Sequence, residues 1–149
     1  VGDHLQVTSS HQVKVMADRL LADCRNDSYD LIVLPGGIPG AQNLQQSAIL
    51  AELLKKQNSA NKLYGAICAA PAMVLEHHGL LAGKKATCHP GFVNQLSSQD
   101  HVSERVVFDR NCVTSKGAGT SIEFALELLG IVMGEGKKRT VAKGMAIEV

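Results

Sequence analysis

The sequence predicts an α/β fold: a three-layer α/β/α sandwich around a mostly parallel, flavodoxin-like sheet. Three observations carry this prediction. Short β-rich apolar runs alternate with stretches of helical periodicity along the whole chain. The run LIVLP at 31–35 is apolar throughout, as a strand covered on both faces would be. Two such runs, 31–35 and 63–67, end directly in turns of small residues, the pattern of parallel strands that deliver loops to one sheet edge.

The elements follow in order. Val13, Val15 and Ala17 alternate with polar neighbours, which predicts a half-buried strand. A short helical stretch from Arg19 to Arg25 precedes the strand at 31–35. Ser47 is placed to cap a helix with Ile49, Leu50, Leu53 and Leu54 inward and a Glu52–Lys56 pair outward. LYGAI at 63–67 predicts a second strand that runs straight into Cys68. The segment after it reads as a buried helix, with Pro71 in its first turn and Gly79 closing it. Further strands are expected near 85–88, 105–108 and 112–115. Thr120 and Glu123 have the spacing of a capping box for a helix with Ile122, Leu126, Leu129 and Met133 inward. A last helix is expected from Lys137 to Ile147.

The 149 residues contain no repeat, low-complexity tract or linker, so 1–149 reads as a single domain. Val1 rather than Met opens the chain, and a processed start or a fragment is expected. Hydrophobic residues make up 45% and charged residues 19%, a globular mix that excludes disorder. A net charge of +1 and 3% aromatic content provide neither the field nor the stacking surface for nucleic acid. No apolar run approaches the ~20 residues of a membrane helix. The four cysteines, Cys24, Cys68, Cys88 and Cys112, are far apart and form no CxxC, so they read as reduced thiols. The Lys pairs at 55–56, 84–85 and 137–138 read as solvated surface charges.

The chemistry concentrates where strand 63–67 meets Cys68. A cysteine in a sharp strand-to-helix turn lies at the carboxyl edge of the sheet, and the amides of the following turn favour its thiolate. The Ala69 amide then points at an oxygen that develops charge during attack. Gly36 and Gly37 end the neighbouring strand, permit unusual backbone angles, and allow close approach to a ligand. The Gly37 amide is the candidate second oxyanion donor. His89, between Cys88 and Pro90 at a strand end, is placed to orient a substrate or exchange protons with Cys68. His77 and His78 read as helix caps. A zinc site from Cys88, His89 and the histidine pair lacks ligand spacing, so no metal is expected. SKGAGTS at 115–121 lacks the phosphate-binding signatures and reads as a tight turn.

Taken together, LIVLPGG, GAQNL at 40–44, AICAAPA at 66–72, CHP at 88–90 and TSKGAGTSIEFAL at 114–126 resemble the DJ-one/PfpI superfamily, in its parkinsonism-associated branch. The resemblance runs from about Leu31 to the C-terminus, with weaker similarity before it. It implies Cys68 as elbow nucleophile, His89 as pocket histidine, Gly37 and Ala69 as oxyanion donors, and a homodimer. It also implies a further N-terminal strand and helix, with a glutamate hydrogen-bonded to the elbow cysteine, expected to be absent from this chain. Cys88 stands where the family has Thr, Lys116 where it has Arg, and Ala118 where it has Pro. Ala69 stands where the peptidase-like branch has His, which argues against proteolysis.

The resemblance implies a cysteine-dependent glyoxalase or protein deglycase that acts on methylglyoxal or early glycation adducts without a cofactor. Small reactive aldehydes or glycated proteins are then its partners, and the cytoplasm its expected compartment. The alternatives are a redox-sensing holdase chaperone of the same fold, in which a sulfinate on Cys68 is the signal, or an inactive truncated form.

Overall fold

A four-stranded sheet organises the chain, in a computed structural model that describes residues 1–148. Its strands are β3 (Leu31–Leu34), β4 (Leu63–Ile67), β5 (Val106–Asp109) and β6 (Cys112–Ser115), in the order β3-β4-β6-β5. Strands β3, β4 and β6 run parallel, and β5 pairs antiparallel with β6. The register pairs Leu34 with Ala66 and Ile67 with Ser115, so the parallel strands end together and deliver Pro35, Cys68 and Lys116 to one edge.

One face of the sheet is covered by α1 (Gly40–Gln46), α2 (Ala48–Ser59) and the turn after Cys68. Together they bury Leu54, Tyr64, Ala66, Val74 and Leu75 completely. On the other face α3 (Ser121–Met133) packs Phe124 and Leu128 against Val113. Gly65 makes that contact close, because a Cβ there would meet Phe124 at 3.1 Å and the Val113 carbonyl at 3.0 Å. Helix α4 (Glu135–Gly144) lies against α3. No helix among the described residues is long and apolar enough to cross a membrane.

The sequence reading holds for β3 to β6 and for the Ser47 cap, whose hydroxyl accepts from the Leu50 amide at 3.3 Å. It fails where tertiary partners override local pattern. The alternation at Val13–Ala17 is real, but it builds an exposed antiparallel ribbon of β1 (Gln6–Thr8) and β2 (Lys14–Met16) rather than a half-buried strand. Strand β3 is an edge of the sheet, so Val33 is exposed and not covered on both faces. Residues 85–88 form no strand. They run extended beside β6, where the Thr87 amide donates to the Thr114 hydroxyl at 3.0 Å instead of to a backbone ladder. The buried helix expected after Cys68 is present, as one short π-wound stretch, Pro71–Glu76, with Pro71 in its first turn and Gly79 following at φ +71. Helix α3 buries Phe124, Leu126 and Leu128 and leaves Ile122 and Met133 exposed, a face rotated from the one expected. Glu52 reaches Arg25 at 2.7 Å rather than Lys56. His78 caps a different helix, with Nε2–H donating to the Gln45 carbonyl in the last turn of α1 at 3.0 Å.

Lys84 is the largest correction. It is no surface charge: it is buried, with its ammonium donating to Asn58 Oδ1 at 2.8 Å and to the Tyr64 hydroxyl, above whose ring it also lies. Burial holds its pKa below 10.5. The buried thiols shift the other way. Cys112 is pushed up to about 12 by burial, and Cys88 to about 11 by burial and by the neighbouring Cys68.

These shifts fix the alkaline limb of stability. A thiol that ionises near 9 when unfolded, but stays protonated when folded, makes the folded state lose stability as the pH rises from 9 toward 11 or 12. The slope is about 1.4 kcal/mol per pH unit per thiol. Tyr64, also raised by burial, adds to the loss above 10. Lys84 opposes it, because its stability contribution grows as the pH rises toward 10.5. Two thiols and a phenol outweigh one amine, so urea midpoints should fall steadily between pH 8.5 and 10.5. The Cys88→Ala/Cys112→Ala double variant should flatten that fall. Equal slopes in the two proteins would refute the assignment.

Candidate active site

Cys68 has φ +68, a left-handed conformation that costs a residue with a Cβ of order 1 kcal/mol or more. The strand-to-turn junction imposes it. The Cys68 amide still belongs to the sheet and donates to the Ser115 carbonyl at 2.9 Å, while its carbonyl turns away to accept from the His89 amide at 2.8 Å. The chain must reverse between those two bonds, and positive φ is how it does so. Pro71 and the small residues Ala69 and Ala70, all buried, let the turn begin without a clash.

Gly36 sits against this elbow. A Cβ at Gly36 would lie 2.4 Å from Cys68 Cβ, 2.8 Å from the Ile67 carbonyl oxygen and 3.2 Å from Cys68 Sγ. The glycine pair makes a close approach to Cys68 itself. Gly37 follows at φ +87, a conformation suited to glycine, and its carbonyl accepts from the Ala41 amide at 2.8 Å to start α1. Gly36 and Gly37 also line a cleft of about 380 Å³ whose far wall is the β1–β2 ribbon, with Val7, Ser9 and Val15. No carboxylate lines this cleft among the described residues. An apolar groove of about 290 Å³ lies elsewhere, between β3 and α2, lined by Leu21, Tyr29, Ile32 and Leu53.

His89 is brought to the elbow through its own backbone bond to Cys68. Its ring is oriented from two sides. Nδ1 accepts from the Gly91 amide at 3.1 Å, and Phe92 meets the ring edge-on at 6.0 Å. An Nδ1 that accepts an amide hydrogen fixes the neutral ring as the Nε2–H tautomer. A Cβ at Gly117 would stand 3.6 Å from His89 Cδ2, so the loop after β6 borders one edge of this exposed residue's ring.

Cys88 lies beneath the site, fully buried, with its thiol donating to the His89 carbonyl at 3.4 Å. Lys116 reaches the Ser103 carbonyl at 3.4 Å. Among the described residues no three His, Cys, Asp or Glu side chains gather as a metal site. Sequence reasoning missed the Ser115–Thr120–Gly117 loop, which was read only as a tight turn and a capping box. Thr120 does not cap α3. Its hydroxyl folds back onto Gly117 and Ser115, and Glu123 is held instead by a bidentate pair with Arg105. Two hydroxyl residues, Ser115 and Thr120, flanking a glycine turn were the available signal.

A parallel α/β sheet whose central strand ends in a strained, glycine-backed cysteine defines a cysteine-elbow protein. The DJ-1/PfpI family profile matches residues 2–130, and the chain belongs to that family. It is 48% identical over 147 residues to Protein DJ-1 homolog B of Arabidopsis thaliana, a match that covers 99% of this chain and 34% of that protein. It is 34% identical over 136 residues to Glutathione-independent glyoxalase DJR-1.2 of Caenorhabditis elegans, covering 90% of this chain and 72% of that protein. The chain thus spans about a third of the length of its Arabidopsis relatives, 34% and 38%. The solved structure of oxidized Toxoplasma gondii DJ-1 superposes with a TM-score of 0.96 at 38% identity, covering 99% of this chain and 80% of that one.

Proposed function

We propose that this chain carries the catalytic unit of a glutathione-independent glyoxalase that converts methylglyoxal to lactate. The observation that carries the reading is Cys68 at φ +68, held against Gly36 and hydrogen-bonded through its carbonyl to the His89 backbone. The Caenorhabditis elegans relative that bears that activity in its name supports it.

In this reading the Cys68 thiolate adds to the aldehyde carbon and forms a C–S bond, and the carbonyl electrons move onto oxygen. The amides of Gly37 and Ala69 hold that oxyanion. The Nε2–H of His89 donates to the adjacent ketone oxygen, which acidifies the hydrogen on the former aldehyde carbon. Loss of that proton gives an enediol, and return of a proton to the neighbouring carbon gives a lactoyl thioester. Water hydrolyses the thioester, releasing lactate and regenerating the thiolate. The balance is methylglyoxal plus water to lactate, with no net redox change. The family resemblance gives the carbon-bound proton to a glutamate beside the elbow cysteine; no carboxylate lines the Gly36–Gly37 cleft among the described residues, so none of them is assigned that role.

The test is lactate formation from methylglyoxal without glutathione. Cys68→Ser should lower kcat/KM at least a hundredfold while the fold is retained. Equal turnover by both proteins would sink the proposal.

A further inference from the structure

We propose that Thr120 is a positioning residue, whose buried hydroxyl fixes the His89 ring relative to the Cys68 elbow. The proposal rests on the glyoxalase reading for its kinetic consequence, but its geometry stands independently. Thr120 and Ser115 are 4% and 0% exposed, and their hydroxyl oxygens lie 2.6 Å apart. Thr120 Oγ1 is also 2.9 Å from the Gly117 carbonyl and 3.1 Å from the Gly117 amide nitrogen. One hydroxyl has one hydrogen. With that hydrogen given to the Gly117 carbonyl, Thr120 Oγ1 accepts from the Gly117 amide and from the Ser115 hydroxyl, whose oxygen is 2.6 Å from Thr120 and 3.3 Å from its other acceptor, the Arg105 carbonyl.

The three partners lead to the two halves of the site. Ser115 accepts the Cys68 amide on its own carbonyl at 2.9 Å, so it belongs to the elbow. A Cβ at Gly117 would stand 3.6 Å from His89 Cδ2, so Gly117 borders the ring. Thr120 is the side chain that ties these two residues to each other. From outside, Arg105 clamps the same loop by donating to the Gly119 carbonyl at 2.8 Å while paired with Glu123. That clamp is on the surface and is weak in water, whereas the Thr120 bonds are buried and cannot be replaced by solvent. Strand β6 cannot do this work alone, because it ends at Ser115.

Thr120→Val keeps the shape and removes the hydroxyl, and Thr120→Ser keeps the hydroxyl. In the intact chain, Thr120→Val should lower kcat for methylglyoxal about tenfold with KM within about twofold, and Thr120→Ser should restore kcat to within about threefold. The His89 ring carbon–proton resonance should shift or broaden in Thr120→Val and return in Thr120→Ser. Alkylation of Cys68 by iodoacetamide should change less than about twofold, since Ser115 holds the elbow through its backbone. If Thr120→Val does not fold, Ser115→Ala, which removes the hydroxyl partner of Thr120 together with that hydroxyl's 3.3 Å contact to the Arg105 carbonyl, is read by the same ring resonance. A ring resonance unmoved in the folded variant, or equal kinetic losses in Thr120→Val and Thr120→Ser, would overturn the proposal. A wild-type chain without methylglyoxal turnover, but with the ring resonance moved by Thr120→Val, would reject the glyoxalase reading and leave the positioning role standing.

Discussion

Gly36→Ala should cost about 3 kcal/mol of folding stability and change the rate of Cys68 alkylation in whatever fraction still folds. The added methyl would meet Cys68 Cβ at 2.4 Å and the Ile67 carbonyl at 2.8 Å. Neither atom is the free end of a side chain. Cys68 Cβ is set by a backbone already in a left-handed conformation, and the Ile67 carbonyl belongs to the last residue of β4, which is paired to Ser115 of β6. Relief therefore requires β3 and β4 to separate at their carboxyl ends, which tilts the elbow away from its bond with His89. Gly37→Ala is the matched control. A Cβ there meets nothing within 4 Å, so its cost is the positive φ of +87 alone, about 1 kcal/mol. Urea denaturation of both variants, with iodoacetamide labelling of Cys68, separates crowding from backbone strain. Equal losses in the two would show that the close contact is not what makes Gly36 necessary.

How much of this could be read in the sequence depended on whether the cause was local. Strands β3 and β4 were legible because continuous apolar runs ending in small-residue turns have few other uses, and Ser47 was legible because a cap acts within three residues. The errors arose where distant chain decides. Lys84 looks like any surface lysine until Asn58 and Tyr64, 26 and 20 residues earlier, close over it. Helix α3 has apolar residues on more than one face, and only the position of Val113 and Gly65 selects Phe124 and Leu128 as the buried set. The same asymmetry governs the site. Cys68, Gly36, Gly37 and Ala69 stand out because backbone constraint shows as residue type: small residues surround a cysteine at the end of a strand. The tautomer of His89 and the hydroxyl network of Thr120 are invisible, because both depend on which amide or hydroxyl lies opposite in space.

The elbow also predicts a conflict between stability and chemistry. Cys68→Ala and Cys68→Gly both remove the thiol, so both should abolish turnover and alkylation at this position. They differ in what remains at φ +68. Alanine retains the Cβ, and with it both the left-handed strain and the contact with Gly36, whereas glycine has neither. Cys68→Gly should therefore be more stable than Cys68→Ala by about 1 kcal/mol, less a few tenths for the greater freedom of glycine in the unfolded chain. In an ordinary half-buried turn the order would be reversed. Stability in urea, measured for the two variants side by side, decides between these orders. Glycine above alanine means that the fold carries a strained residue at 68 because the thiol is needed there, since relaxation is one substitution away. Alanine above glycine means that Ser115 and His89 relax the backbone around the cysteine, and that the elbow stores no strain to be released.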